Sequence, residues 1–231
     1  MFKSQQDLIS PHQSLQLSAL RRQLEASTAE ACCGKELTFS SGLSELDTIL
    51  PDGGLRAGQL VEWFGEGRGS GAGTLALRAC WQAASSAGML VVLDRAGMFY
   101  PPAAATLGVD LKKLILVRAG SAQEEFWALD QALRSREVAA TWAVLGACDS
   151  RRFRRLQLSA EQGETLGCLV RSSHRVGQPS WSQLQLLVQP APVPVSPQPD
   201  APQPWQQAHT VTLLRCQGAD QENQRTVTCP W

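Results

Sequence analysis

No stretch of the 231 residues approaches the roughly 18 consecutive apolar side chains that a membrane-spanning helix needs. The opening residues, MFKSQQDLISPHQ, hold no apolar run of the kind a secretion signal carries. An excess of one charge sign is also missing, since 21 basic residues face 21 acidic ones and the formal net charge is zero. A neutral chain has no global field to draw in nucleic acid, so any DNA contact has to be local. Charged residues are sparse altogether, at 18% against about 25% in an average soluble domain. With 43% hydrophobic residues, this predicts large apolar faces, some of them available to a partner. The seven cysteines (Cys32, Cys33, Cys80, Cys148, Cys168, Cys216 and Cys229) include no C-x-x-C pair, and the three histidines lie far apart. No metal site is therefore expected, and the thiols read as reduced, small apolar side chains of a cytoplasmic protein.

What is present is an alternation of strand and helix signals. Residues 14–30 place Leu17, Leu20 and Leu24 on one helical face. This N-terminal element, residues 1–35, is open to two readings: a helix packed on the core, or an arm docking on another subunit. From residue 36 the pattern predicts strands at 58–65, 89–94, 114–119, 139–147 and 165–173. Helices are predicted at 74–87, 102–108, 123–135 and 151–162. Continuous apolar strands such as MLVVLD, separated by helices, mean βαβ crossovers. The fold class expected is α/β, a mostly parallel twisted sheet flanked by helices over a core at 36–189. Two period-two segments, WSQLQLLVQ and HTVTLLRCQ, predict an antiparallel hairpin at the sheet edge. Between them, seven prolines from Pro190 to Pro204 predict an exposed, extended loop over 190–207. Residues 208–231 follow as an edge strand and tail.

The segment FGEGRGSGAGTLAL runs from a strand through a glycine-rich loop into a helix. That is the layout of a phosphate cradle, in which backbone N–H groups converge and a helix N-terminus adds a favourable dipole. Its members are Gly65, Gly67, Arg68, Gly69, Gly71, Ala72, Gly73 and Thr74. A working loop ends in Gly-Lys-Ser/Thr, with the lysine on the outer phosphates and the hydroxyl on magnesium. Here Ala72 and Gly73 follow Gly71, and Thr74 comes one position late. The loop has the shape of a nucleotide site without its chemistry; binding of ATP without hydrolysis stays open, and no cofactor is expected.

The ordered series FSSGLSELDTILPDGGLRAGQLVEWFGEGRGSGAGTLALRA, continued by LVVLDRAGMFYPPAAATLGVDLKKLILVRAG, resembles the RecA recombinase core over 36 to about 190. The resemblance implies a RecA-like fold. Carried over residue by residue, it puts the nucleotide-binding lysine on Ala72 and the magnesium hydroxyl on Gly73. It puts the water-activating glutamate on Ala96, two residues after Asp94, and the second magnesium aspartate on Val144. Phosphoryl transfer rests on such placed cations and bases, so the resemblance implies no ATPase and no catalytic residues. The runs LPDGGLRAGQLVEW, DRAGMFYPP and FRRLQLSAE are similar to the ImuA family, accessory proteins of damage-induced mutagenesis. That resemblance implies a role in translesion DNA synthesis within the SOS response. The implied partners are a Y-family-like polymerase subunit and an error-prone polymerase, and RecA itself is a further implied contact. Two alternatives remain. One is a cell-division inhibitor similar to SulA; the other is a DNA-dependent ATPase with relocated residues, using Arg68 and Asp149.

In the recombinases DNA is held after the fourth and fifth core strands. The matching places carry Arg151, Arg152, Arg154 and Arg155, then Arg171, His174 and Arg175. These arginines are candidate phosphate contacts, against the plainer reading of a solvated helix face. Trp63, Trp127 and Trp142 fall inside elements and read as core. Trp205 and Trp231, with Leu17, Leu20 and Leu24, make the candidate partner face, because exposed tryptophan is enriched at interfaces.

Overall fold

Hydrogen bonding within the apolar runs builds one large sheet. The computed structural model describes residues 38–67, 69–86, 88–192, 208–217 and 225–230. Leu17, Leu20, Leu24, Arg68, Trp205, Trp231 and most of the proline-rich segment lie outside these residues. A two-strand ribbon of β1 (Thr38–Phe39) and β2 (Leu55–Arg56) flanks the one-turn helix α1 (Ser44–Asp47). Then follow β3 (Leu60–Gly65), α2 (Ala72–Ser86), β4 (Met89–Leu93), α3 (Pro101–Thr106) and β5 (Leu114–Val117). After them come α4 (Ala122–Arg134), β6 (Val138–Val144), α5 (Ser150–Gly163), β7 (Leu166–Ser172), β8 (Leu184–Ala191), β9 (Ala208–Cys216) and β10 (Arg225–Pro230).

The eight-stranded sheet has the order β10-β9-β8-β3-β7-β6-β4-β5. From β8 to β5 every pairing is parallel; β8–β9 and β9–β10 are antiparallel. All six residues of β3 are buried, as a strand enclosed on both faces and both edges must be. Alternate side chains feed two cores. Trp63, Leu90, Val92, Trp142, Cys168 and Leu186 pack with α1 and α2 on one face. Leu60, Val91, Leu93 and Leu169 pack with Leu129 and Leu133 of α4 and Phe153 and Leu156 of α5 on the other. Cys80, Cys168 and Cys229 are buried free thiols, and burial pushes the Cys229 thiol up to about 11.

Two expectations change. Trp127 is 62% exposed, because α4 turns Phe126, Leu129 and Leu133 inward and the next residue along points about 100° away. The residues expected as a tail instead supply β10, which pairs with β9 and becomes the sheet edge. Pro230 fits such an edge, where a missing N–H breaks no central ladder. No described helix is long and apolar enough to cross a membrane.

Candidate functional site

The glycine loop leaves the carboxyl end of β3 and enters α2, the position where open α/β sheets bind ligands. Gly67, Gly69 and Gly71 hold φ values of +68°, +90° and +83°, left-handed backbone that side chains with a Cβ rarely adopt. Gly65 permits close approach: a Cβ there would stand 2.8 Å from that of Ala72. The first turn of α2 is set by Gly71, whose carbonyl accepts from the N–H of Thr74 at 3.0 Å and of Leu75 at 2.9 Å. Ala72 is buried in the α2-side core. Trp142 of β6 donates its indole N–H to the Gly73 carbonyl at 2.9 Å, and its ring lies 6.0 Å from that of Phe99. The start of α2 is thus tied by an uncharged bond to β6, two strands away from β3. The His209 imidazole lies against Gly71.

The carboxylates nearby serve the backbone. Asp94, 5% exposed, accepts from the N–H groups of Met98 at 2.9 Å and Phe99 at 2.8 Å, which fixes the turn holding Ala96. Asp149 is the N-cap of α5 and accepts from the Arg152 N–H at 2.8 Å. Val144 is exposed at the end of β6. At the four positions where the resemblance puts the partners of a magnesium nucleotide, the chain carries other residue types. Ala72 and Gly73 supply neither cation nor hydroxyl, and Ala96 and Val144 supply no carboxylate. No group of His, Cys, Asp and Glu that could hold a metal occurs among the described residues.

The arginines separate by environment. Arg171 is not a surface contact: its side chain is 2% exposed and pairs with the fully buried Glu62 of β3. The second Glu62 oxygen accepts from Ser180 at 2.6 Å, Ser182 at 2.7 Å and Gln185 at 2.8 Å. A charge buried between strands requires such a partner, and this one withdraws Arg171 from solvent. Arg155 is likewise committed, with Nε at 3.1 Å and Nη2 at 2.7 Å from the buried Asp130 carboxylate. Burial alone would raise the Asp130 pKa, but hydrogen bonds from Arg155 and Ser159 and the nearby Arg134 charge hold it below the usual carboxylate value. Arg152 lies 5.4 Å above Phe126 and 3.5 Å from Asp149, and Arg154 lies 4.8 Å above Trp181. Arg151 is exposed, while Arg175 is half-buried and donates to Gln178 at 3.3 Å.

A cleft of about 540 Å³ opens between α5 and the loop joining β7 to β8, lined by Ser150, Gln157, Trp181, Ser182, Arg215 and Gln217. Trp181 closes one wall by donating to the Ser150 hydroxyl at 3.0 Å. The polar cluster beneath escaped sequence reasoning, although it left a sign: Glu62 and Arg171 are lone charges inside the apolar runs LVEWF and CLVRS. His209 left none, since only the fold brings it beside the glycine loop.

Chains of known identity place this architecture. The family profile described as the RecA N-terminal domain matches residues 29–141. RecA proteins of Crocosphaera subtropica and Rhizobium leguminosarum bv. viciae are 34% and 33% identical over 101 residues, 44% of this chain. RecA of Arthrospira platensis is 35% identical over 98 residues, 42% of the chain. These stretches span 28%, 28% and 26% of the three relatives, so the match covers about a quarter of their length. A crystal structure of the RadB recombinase superposes with a TM-score of 0.59 at 17% identity, covering 82% of this chain and 94% of that one. Together with the sheet order and the loop after β3, these likenesses give the chain a RecA-like fold.

Proposed function

We propose that this protein is a non-catalytic RecA-fold adaptor in damage-induced translesion DNA synthesis. It holds a Y-family-like polymerase subunit beside an error-prone polymerase, and RecA is a further partner. The observation that carries the reading is the glycine loop, which holds left-handed glycines while Ala72 and Gly73 stand where the resemblance puts the lysine and the magnesium hydroxyl. Gly67, Gly69 and Gly71 retain left-handed φ values, yet the helix begins with buried Ala72 and with Gly73. Asp149, the acid an altered ATPase would draw on, caps α5. A scaffold that has no phosphate to cleave is free to act through its surfaces. The similarity to the ImuA family names the process and the partners.

DNA contact belongs to the same reading in a local form. Arg151 and Arg175 flank the cleft region without a carboxylate partner among the described residues, so each can take a phosphate. Two measurements test the proposal. Purified protein should release no phosphate from ATP above a heat-treated control, with or without single-stranded DNA. Tagged protein from damage-treated cells should recover a Y-family-like polymerase subunit. Turnover above the control removes the non-catalytic half; recovery of a division protein in place of a polymerase removes the process.

A further inference from the structure

A side chain of β9 lies against the backbone of the glycine loop at Gly71. His209 is the second residue of β9, opposite Pro190 of β8 and Cys229 of β10. It has the same strand parity as Val211 and Leu213, which pack on the α2 side of the sheet. The imidazole lies so close to Gly71 that a Cβ on that glycine would stand 2.8 Å from Cε1 and overlap the rest of the ring edge. His209 is 4% exposed, and its Nδ1 is buried with no hydrogen-bond partner among the described residues.

Polar satisfaction does not account for this placement. An imidazole nitrogen left buried and unpartnered costs about 1–3 kcal/mol. The ring is seated by packing on the bare backbone of Gly71, which a side chain at that position would prevent. Its charge state suits the place as well. Burial favours the neutral form, and the positive end of the α2 dipole opposes an imidazolium. An anion on the loop would use the N–H groups of Gly69, Ser70 and Gly71, since Ala72 donates to Ser70 and Thr74 and Leu75 donate to the Gly71 carbonyl, and the ring packs against the last of these three residues.

We propose that His209 is a built-in stopper of the glycine loop. Its imidazole fills the mouth of a backbone cradle that still takes a bare anion once vacated, so anion entry and seating of the start of β9 exclude one another. The inference is independent of the adaptor reading, because it concerns access to the loop and not the partners the surfaces meet. Loss of polymerase recovery would leave it standing, and its own failure would leave the adaptor standing.

The test is a calorimetric titration of inorganic pyrophosphate, without metal and at low salt, into the full chain and two variants. His209→Ala empties the mouth; His209→Phe keeps it filled with an uncharged ring. Pyrophosphate is expected to bind His209→Ala at least about tenfold more tightly than the unaltered protein, with His209→Phe behaving like the unaltered protein. Equal affinity for the unaltered protein and His209→Ala, including binding to neither, overturns the proposal. So does equal tightening in both variants, which would trace the gain to a loosened hairpin. A thermal melt accompanies each titration. If His209→Ala melts below the assay temperature, His209→Val takes its place, since a β-branched residue keeps the strand preference of β9.

Discussion

Replacing Glu62 by alanine should be the most damaging single change to a charged residue of this protein. The side chain is fully buried in β3, and its two oxygens take Arg171, Ser180, Ser182 and Gln185. Removal leaves the Arg171 guanidinium, itself 2% exposed at the side chain, with its charge uncompensated inside the sheet. Breaking a buried pair in this way costs about 3–5 kcal/mol. The three abandoned donors lie on one short segment and beside it, so their losses overlap with that cost and do not add to it. At roughly 2–4 °C per kcal/mol for a chain of this size, the melting temperature should fall by roughly 6–20 °C. Urea unfolding measures the free energy directly, and an unchanged slope will confirm that the native surface is comparable. Because Ser180 and Ser182 tether the β7–β8 loop to Glu62, trypsin should also cut faster after Arg175 in the variant. Arg171→Ala should cost less in the Glu62→Ala background than alone. A loss below about 1 kcal/mol would refute the reasoning, since it is the cost of a solvated pair and would mean the network is open to water.

Other expectations follow from neighbouring features. Gly67 and Gly71 both have positive φ, but a Cβ at Gly67 meets nothing within 4 Å while one at Gly71 meets the His209 ring. Gly67→Ala should therefore cost about 1 kcal/mol of strain and Gly71→Ala clearly more, as read by paired melts. Asp130 is held below its ordinary pKa, so its contribution is present above the unfolded carboxylate value of about 3.9 and is lost as pH falls through the folded value. Asp130→Asn should remove that part of the acid limb of a stability-against-pH curve, and an unaltered limb would contradict the assignment. Trp142→Phe deletes the donor to the Gly73 carbonyl and should cost about 1 kcal/mol, with faster amide exchange in the first turn of α2.

The alternation of apolar runs and helical stripes was enough to predict every long element of the described core except β10, because parallel strands buried on both faces leave no other pattern. MLVVLD became β4 and LILVRA became β5 within two residues. Trp127 misled because residue type spoke for burial while the helical phase spoke against it, and the phase decided. The arginines misled for a related reason. Composition places charge at the surface, yet Arg171 has a carboxylate waiting 109 residues earlier in the chain, a pairing that only strand adjacency creates. The glycine loop was legible because its conformation is written locally in glycine positions. Its companion His209 was not, since 138 residues separate it from Gly71 and nothing in either segment refers to the other.

The position of β3 in the sheet bears on how the protein can be divided. Both of its neighbours come late in the chain: β7 begins at Leu166 and β8 at Leu184. The stretch that matches the RecA N-terminal profile stops at residue 141, inside β6. Cut there, the chain would keep Leu60–Gly65, its most enclosed strand, with both ladders unmade and the apolar edges open to other molecules. The segment most readily recognised as RecA-like is therefore expected not to fold alone. Its central strand must await loop closures of more than a hundred residues, which predicts slow folding and makes a fragment of 29–141 an aggregating species in place of a miniature domain.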